Sequence, residues 1–246
     1  CDKVGRIQQT GHDPMGRFAW TTLRGKRDEG LLVIVAYRVC QDHTGKAGAL
    51  TAYQQQCTEL RKQGQTRPNP RQQLLTDLET LITTKRQGGF RPILMIDANG
   101  DMHHPTTPDK NLCDFIETTN LVDIFYHKFQ HSPRTFMWGA KRLDYIFVDP
   151  ALIPAIEWIG YLGTHDGSES DHVYAFMDIN DKIAHQGLVH RPITTKSREF
   201  TLTQSDKVKS FLDGLVKSSK DNTYKERVDP PSRSFLQHGP TPDNRR

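Results

Sequence analysis

The chain has 246 residues, of which 35% are apolar and 25% charged, a length that suits one large domain or one domain with an appendage. Its longest uninterrupted apolar run, Leu31 to Tyr37, stops at seven residues, far short of the ~18 that a membrane-spanning helix needs. The net charge of +4 is not spread evenly: residues 1–180 hold 20 Lys and Arg against 21 Asp and Glu, whereas residues 181–246 hold 13 against 8. Basicity therefore belongs to the tail, where it either attracts phosphates non-specifically or keeps a linker solvated. Cys1, Cys40, Cys57 and Cys113 form no CxxC pair, which argues against a structural zinc site and gives no disulfide framework. The expected setting is reducing and intracellular. Neither Met nor a leader precedes Cys1, so the chain reads as a fragment.

In chain order, Phe18 to Arg24 alternates and Leu31 to Tyr37 is a continuous β-branched run, with a turn-like Gly25 to Gly30 between them. These are predicted as two adjacent strands, the second buried on both faces. Ala49 to Lys62 and Arg71 to Arg86 are rich in helix formers; in the second, Leu74, Leu75, Leu78, Leu81 and Ile82 recur at helical spacing between Pro70 and Gly88-Gly89. Arg91 to Ile96 follows as a short buried strand ending in Asp97-Ala-Asn-Gly-Asp101. Strand, helix, strand predicts an α/β layer arrangement. Asn111 to Thr119 reads as a helix, and Arg142 to Val148, Ala155 to Tyr161 and Val173 to Ile179 as strands, the last two separated by a loop from Thr164 to Asp171. The compact domain is expected to span residues 1–182, with residues 183–246 a basic, partly helical linker or tail. No repeat and no glycine-rich phosphate loop is present.

Three polar clusters stand at the margins of the buried strands, where α/β folds place reactive side chains: Asp97 with Asn99, Asp144, and Asp171-His172. Each has a plain structural explanation. Asp-x-Asn after a strand makes a turn, because both residues bond their own backbone and tolerate left-handed dihedrals. Asp144 interrupts an apolar strand, where a carboxylate needs a partner, and either a histidine or Arg142 would serve. Ser170-Asp171-His172 reads as a cap before a strand.

Their order says more. Tyr37-Arg38 after a buried strand, then Asp97-Ala98-Asn99, then Arg142-Leu143-Asp144-Tyr145, then Ser170-Asp171-His172 before a strand resembles the endonuclease/exonuclease/phosphatase superfamily. That family of Mg²⁺-dependent nucleases includes abasic-site endonucleases, deoxyribonuclease I and retroelement endonucleases. The resemblance spans about Phe18 to Ile179. It implies a four-layer α/β sandwich of two facing mixed β-sheets flanked by helices, with the site at one rim. It also implies a partial fold, because nothing before Val4 supplies the family's Asn-bearing first strand or its metal-binding Glu.

By the same resemblance, Asp97 orients and deprotonates the attacking water, Asn99 donates to a non-bridging oxygen, His172 faces the phosphoryl group with Asp144 behind it, and Tyr37 donates to the phosphate. Mg²⁺ or Mn²⁺ is the implied cofactor, with Asp97, Asn99, Asp171 and His172 as its ligands. His103-His104 lies just past Asn99 and is left out of the site, as exposed loop histidines. The implied activity is DNA endonuclease. Two alternatives stay open: a phosphatase or phosphodiesterase of the same superfamily on lipid, inositol or nucleotide phosphates, and a catalytically incomplete nucleic-acid-binding or interaction module.

In the tail, Lys196 to Phe200 and the amphipathic Ser205 to Ser218 are loosely similar to the connector between a retroelement endonuclease and a downstream reverse transcriptase. A retroelement polyprotein, that partner domain and a nuclear location go with this reading. A surface helix tethering the chain's end accounts for the same residues.

Overall fold

The computed structural model describes residues 6–26, 29–41, 48, 50–131, 133–162, 170–187, 209 and 213. The chain divides into two compact units, Cys1–Ile193 and Thr194–Arg246. In the second unit only Lys209 and Asp213 are described, both helical, so the connector-like segments expected from Lys196 to Ser218 otherwise lie outside the described residues.

The first unit is built on a six-stranded mixed sheet with strands β1 Ile7–His12, β2 Phe18–Arg24, β3 Gly30–Tyr37, β4 Phe90–Asp97, β5 Val122–Asp123 and β6 Asp144–Val148. Their spatial order is β1-β2-β3-β4-β6-β5, with β3 and β4 parallel and every other pair antiparallel. The parallel pair requires a long crossover, and helices α1 Ala52–Lys62 and α2 Pro70–Gln87 supply it. Asn69 caps α2 by accepting the Gln72 N–H, and Pro70 occupies the first turn, where its missing N–H costs nothing. Helices α3 Lys110–Thr119 and α4 Ile124–Phe129 follow. Beyond β6, a 3₁₀ turn Pro150–Ala155 leads into a second sheet of two antiparallel strands, β7 Ile156–Leu162 and β8 Tyr174–Ile179.

Alternation along the strands divides the core in two. Leu32, Ile34, Leu94, Ile96, Tyr145 and Phe147 meet Leu74, Leu75, Leu78 and Ile82 of α2 and Leu112 and Phe115 of α3. Leu31, Ile93, Ile146 and Val148 point the other way, towards Ile159 of β7 and the partly buried Ala175, Met177 and Ile179 of β8. The architecture is therefore α/β, with α2 and α3 over one face of the large sheet and the β-ribbon, with Phe125 of α4 and Leu152 of the 3₁₀ turn, over the other. Cover on both faces explains the apolar run Leu31-Leu-Val-Ile, as expected for a strand inside a layered fold. It ends early: Val35 and Tyr37, on the ribbon side, are 56% and 45% exposed. That end of the sheet is left open.

Two differences from the sequence reading have physical causes. Strand β1 carries no apolar alternation because it is an exposed edge strand, with Gly11 making room for the Trp20 ring beside it. The first unit runs past the expected end at residue 182: helix α5 Asp181–Ala184 follows, Asp181 takes both guanidinium nitrogens of buried Arg6 at 3.0 Å, and Ala184 and His185 are buried. Most of the loop between β7 and β8, residues 163–169, lies outside the described residues. None of the described helices is long and apolar enough to cross a membrane.

Candidate active site

Register sets the first three side chains. Tyr37 of β3 is paired with Asp97 of β4, and Asp97 with Asp144 of β6. Register partners share a face of a sheet, and these three continue the series Leu31, Ile93 and Ile146, the face towards the ribbon. They form one row across three strands, at the end where the ribbon leaves the sheet open. His172 arrives from the segment just before β8. It forms an isolated bridge with Phe136, while Val173 N–H donates to Thr135 O at 2.8 Å and Met137 N–H to Asp171 O at 2.9 Å.

The result is a compact group: one ligand-capable atom from each of Asp97, Asp144 and His172 lies within 4.8 Å of the others. Nδ1 of His172 and Oδ2 of Asp144 are 2.8 Å apart, both side chains partly exposed. Burial opposes charge on His172, but the Asp144 hydrogen bond and the charges of Asp144, Asp97 and Asp171 prevail, holding its pKa above 6.5. Asp97 moves up as well, through burial and then the like charge of Asp144, against the opposing Asn99 N–H. Two carboxylates and an imidazole crowd one rim.

Asn99 shows that turn and site are one arrangement. Its φ of +44° puts it in the left-handed region, and its N–H donates to Asp97 Oδ1 at 3.1 Å. The side-chain amide then donates to Arg38 O at 2.8 Å and approaches Asp97 Oδ2 at 3.4 Å, while Cys40 Sγ lies 2.9 Å from its Oδ1. Ala98 between them is fully buried, its N–H donating to Leu143 O, so a small apolar residue is what this position accepts. Gly100 is required for contact: a Cβ there would lie 2.2 Å from Asp109 Oδ2.

Of the residues expected in the site, the structure brings together Tyr37, Asp97, Asn99, Asp144 and His172. Asp171, expected as a metal ligand, is exposed and stands outside the Asp97–Asp144–His172 group, adjoining it only as the neighbour of His172. Arg142 is not the partner of Asp144: its two terminal nitrogens bind Asp123 at 2.6 and 2.9 Å, and only its Nε reaches the Asp144 backbone oxygen. His103 joins that second network, 3.4 Å from Asp123 and stacked on Tyr126 at 3.9 Å. His104 accepts the Thr107 N–H, away from the cluster. Thr135 escapes sequence reasoning altogether. Fully buried, its Oγ1 accepts the N–H groups of Leu143 and Asp144 at 2.8 and 3.1 Å while its backbone holds Val173, so one residue fixes the start of β6 against the His172 segment. Nothing in the stretch Pro133 to Lys141 signals this, because a buried loop threonine has no periodicity.

No protein-family model and no curated protein matches the sequence. Among solved structures, the chain is similar to a 3′ phosphatase from Neisseria bound to a product DNA hairpin, with 15% identity, 70% of this chain and 71% of that chain covered and a TM-score of 0.48. It is also similar to an AP endonuclease from Leishmania major (18% identity, 66% and 54% covered, TM-score 0.44). A third similar structure is an endonuclease/exonuclease/phosphatase family protein from Bacteroides thetaiotaomicron (19%, 65% and 54%, TM-score 0.39). The chain thus spans about half the length of the last two.

Proposed function

We propose that the chain is a divalent-metal-dependent phosphodiester hydrolase, an endonuclease acting on DNA with Mg²⁺ or Mn²⁺. The observation that carries this reading is the Asp97, Asp144 and His172 group, with ligand atoms within 4.8 Å of one another at the open end of the sheet. Like charge between Asp97 and Asp144 is what a cation relieves, so the donor set fits one. Asp97 would hold it at the centre of this group, joined by Asn99 and Asp171 once their oxygens turn in from Cys40 and from solvent, and by His172 only as neutral imidazole. When bound, the cation neutralises charge on the phosphoryl oxygens.

The side chains supply the remaining steps. The Asp97 carboxylate accepts a proton from water as the water oxygen bonds to phosphorus. His172, whose charged form the Asp144 hydrogen bond favours, donates from Nε2 to a non-bridging oxygen, where negative charge grows. Asn99 donates there too, without the repulsion a further carboxylate would bring. The bond from phosphorus to the leaving oxygen breaks, and the Tyr37 hydroxyl, kept protonated by burial and by the nearby Cys40 and Asp97, stands in the same row to donate to it. A retroelement origin, a nuclear location and a downstream reverse transcriptase belong to the same proposal and rest on the sequence of residues 196–218.

The test is nicking of supercoiled plasmid with Mg²⁺ or Mn²⁺, against EDTA and against Asp97→Asn. Nicking lost in both controls supports the reading. Nicking that survives Asp97→Asn overturns the assignment of the base. Phosphate release from a 3′-phosphorylated oligonucleotide without nicking turns the reading to a phosphatase.

A further inference from the structure

Beside the proposed centre, Asn99 forms part of the wall of an open cleft of about 800 Å³. The wall carries four cationic side chains, Arg38, Arg71, Lys110 and Lys141, against two carboxylates, Asp101 and Asp109. Both carboxylates are already engaged. Asp109 takes Arg38 at 2.6 Å and Arg71 at 3.1 Å, so two buried guanidiniums share one counter-charge. Asp101 accepts the N–H groups of His103 and Arg142 at 2.9 and 3.2 Å. Lys110 and Lys141 are exposed and make no ion pair among the described residues.

An excess of positive charge, in a cleft large enough for a phosphate and its sugar, suits an anion. Its position narrows the choice. Arg71 donates to the Asn99 backbone oxygen at 3.0 Å, and the Asn99 amide reaches Asp97 Oδ2, so the cleft and the centre share one residue as their partition. An anion in the cleft is a close neighbour of the phosphate being attacked. We infer that the cleft is a subsite for a second backbone phosphate of the same strand, held by Lys110 and Lys141, and that it selects polynucleotides over small phosphate esters. This rests on the phosphodiester reading above and deepens it.

The experiment uses the double variant Lys110→Ala/Lys141→Ala. Both side chains are exposed, so folding is not at stake. Binding of a fluorescent single-stranded oligonucleotide is followed by anisotropy over a salt series in EDTA, where no turnover occurs. Neutralising one phosphate on a single strand contributes about 0.7 to the slope of log K against log salt, so with the one phosphate held by both lysines released, the variant's slope is expected to fall by about 0.7. With Mn²⁺, kcat/KM for the oligonucleotide is expected to drop relative to that for bis(4-nitrophenyl) phosphate. An unchanged slope, no binding by the wild type, or an equal fall on both substrates overturns the subsite. Failure of the hydrolase reading looks different: the wild type cleaves neither substrate, while the slope still reports whether the cleft takes a phosphate.

Discussion

Two residues apart in the chain, Arg142 and Asp144 each belong to a carboxylate–cation pair, and the two pairs have opposite characters. Arg142 and Asp123 are 0% and 7% exposed, bonded through two nitrogens, and the guanidinium lies 4.4 Å from the centre of the Tyr145 ring. His172 and Asp144 are 29% and 22% exposed, joined by one hydrogen bond, and a second carboxylate, Asp97, stands beside them. Removing both charges from water is costly, so the first pair is held only by complete hydrogen bonding and has nothing left to offer a ligand. The second keeps unspent valence and access. The first pair organises the rim; the second is equipped to act on what reaches it.

The sharpest break of that contrast is Arg142→Met. Leaving Asp123 buried without its main partner is expected to cost about 3–5 kcal/mol, which at this chain length lowers Tm by roughly 6–20 °C in a thermal melt. A melt within a degree or two of wild type would assign Asp123 to His103 alone. His172→Ala should invert the pattern: activity on plasmid down on the order of 10²–10³-fold, the scale for one preorganised donor, with Tm close to wild type.

pH separates the pairs without mutation. In EDTA, the contribution of His172, whose folded pKa lies above the ordinary 6.5, is fully present below 6.5 and is lost as pH rises through the folded value. Asp123 runs the other way. Burial works against its charge, but His103 and Arg142 prevail and hold its pKa below 3.8, so its contribution is present above 3.8 and is lost as pH falls through the folded value. Stability measured against pH should therefore show a decline above 6.5 that His172→Ala removes and an acid-side decline that it leaves unchanged.

The sequence makes the acting pair easier to read than the holding pair. Asp97 and Asp144 are conspicuous because one ends an apolar strand and the other interrupts one, while the β3-β4-β6 register that puts them with Tyr37 in one row is a tertiary feature. The sequence leaves the Asp144 partner open between Arg142 and a histidine, since strand periodicity places a side chain on a face without saying what crosses from another segment. Asp123, 19 residues before Arg142, has no signal at all: it sits in a two-residue strand and reads as an ordinary helix cap. His103 passes for a surface loop histidine because its stacking on Tyr126 is a tertiary contact. Edge strand β1 is silent for the complementary reason, being too exposed to need apolar residues.

Thr135 joins the two characters and gives the smallest effect. Its hydroxyl serves two backbone N–H groups at the start of β6, so Thr135→Val keeps the shape and leaves both donors unpaired. The expected cost is about 1–3 kcal/mol of stability. If the hydroxyl also positions Asp144 against His172, kcat should fall while KM holds, and Thr135→Ser, which restores the oxygen, should recover both readouts. Loss of stability with kcat unchanged would make Thr135 a prop for the loop alone. Recovery by serine of stability without kcat would shift the positioning role from the hydroxyl to the buried threonine methyl group.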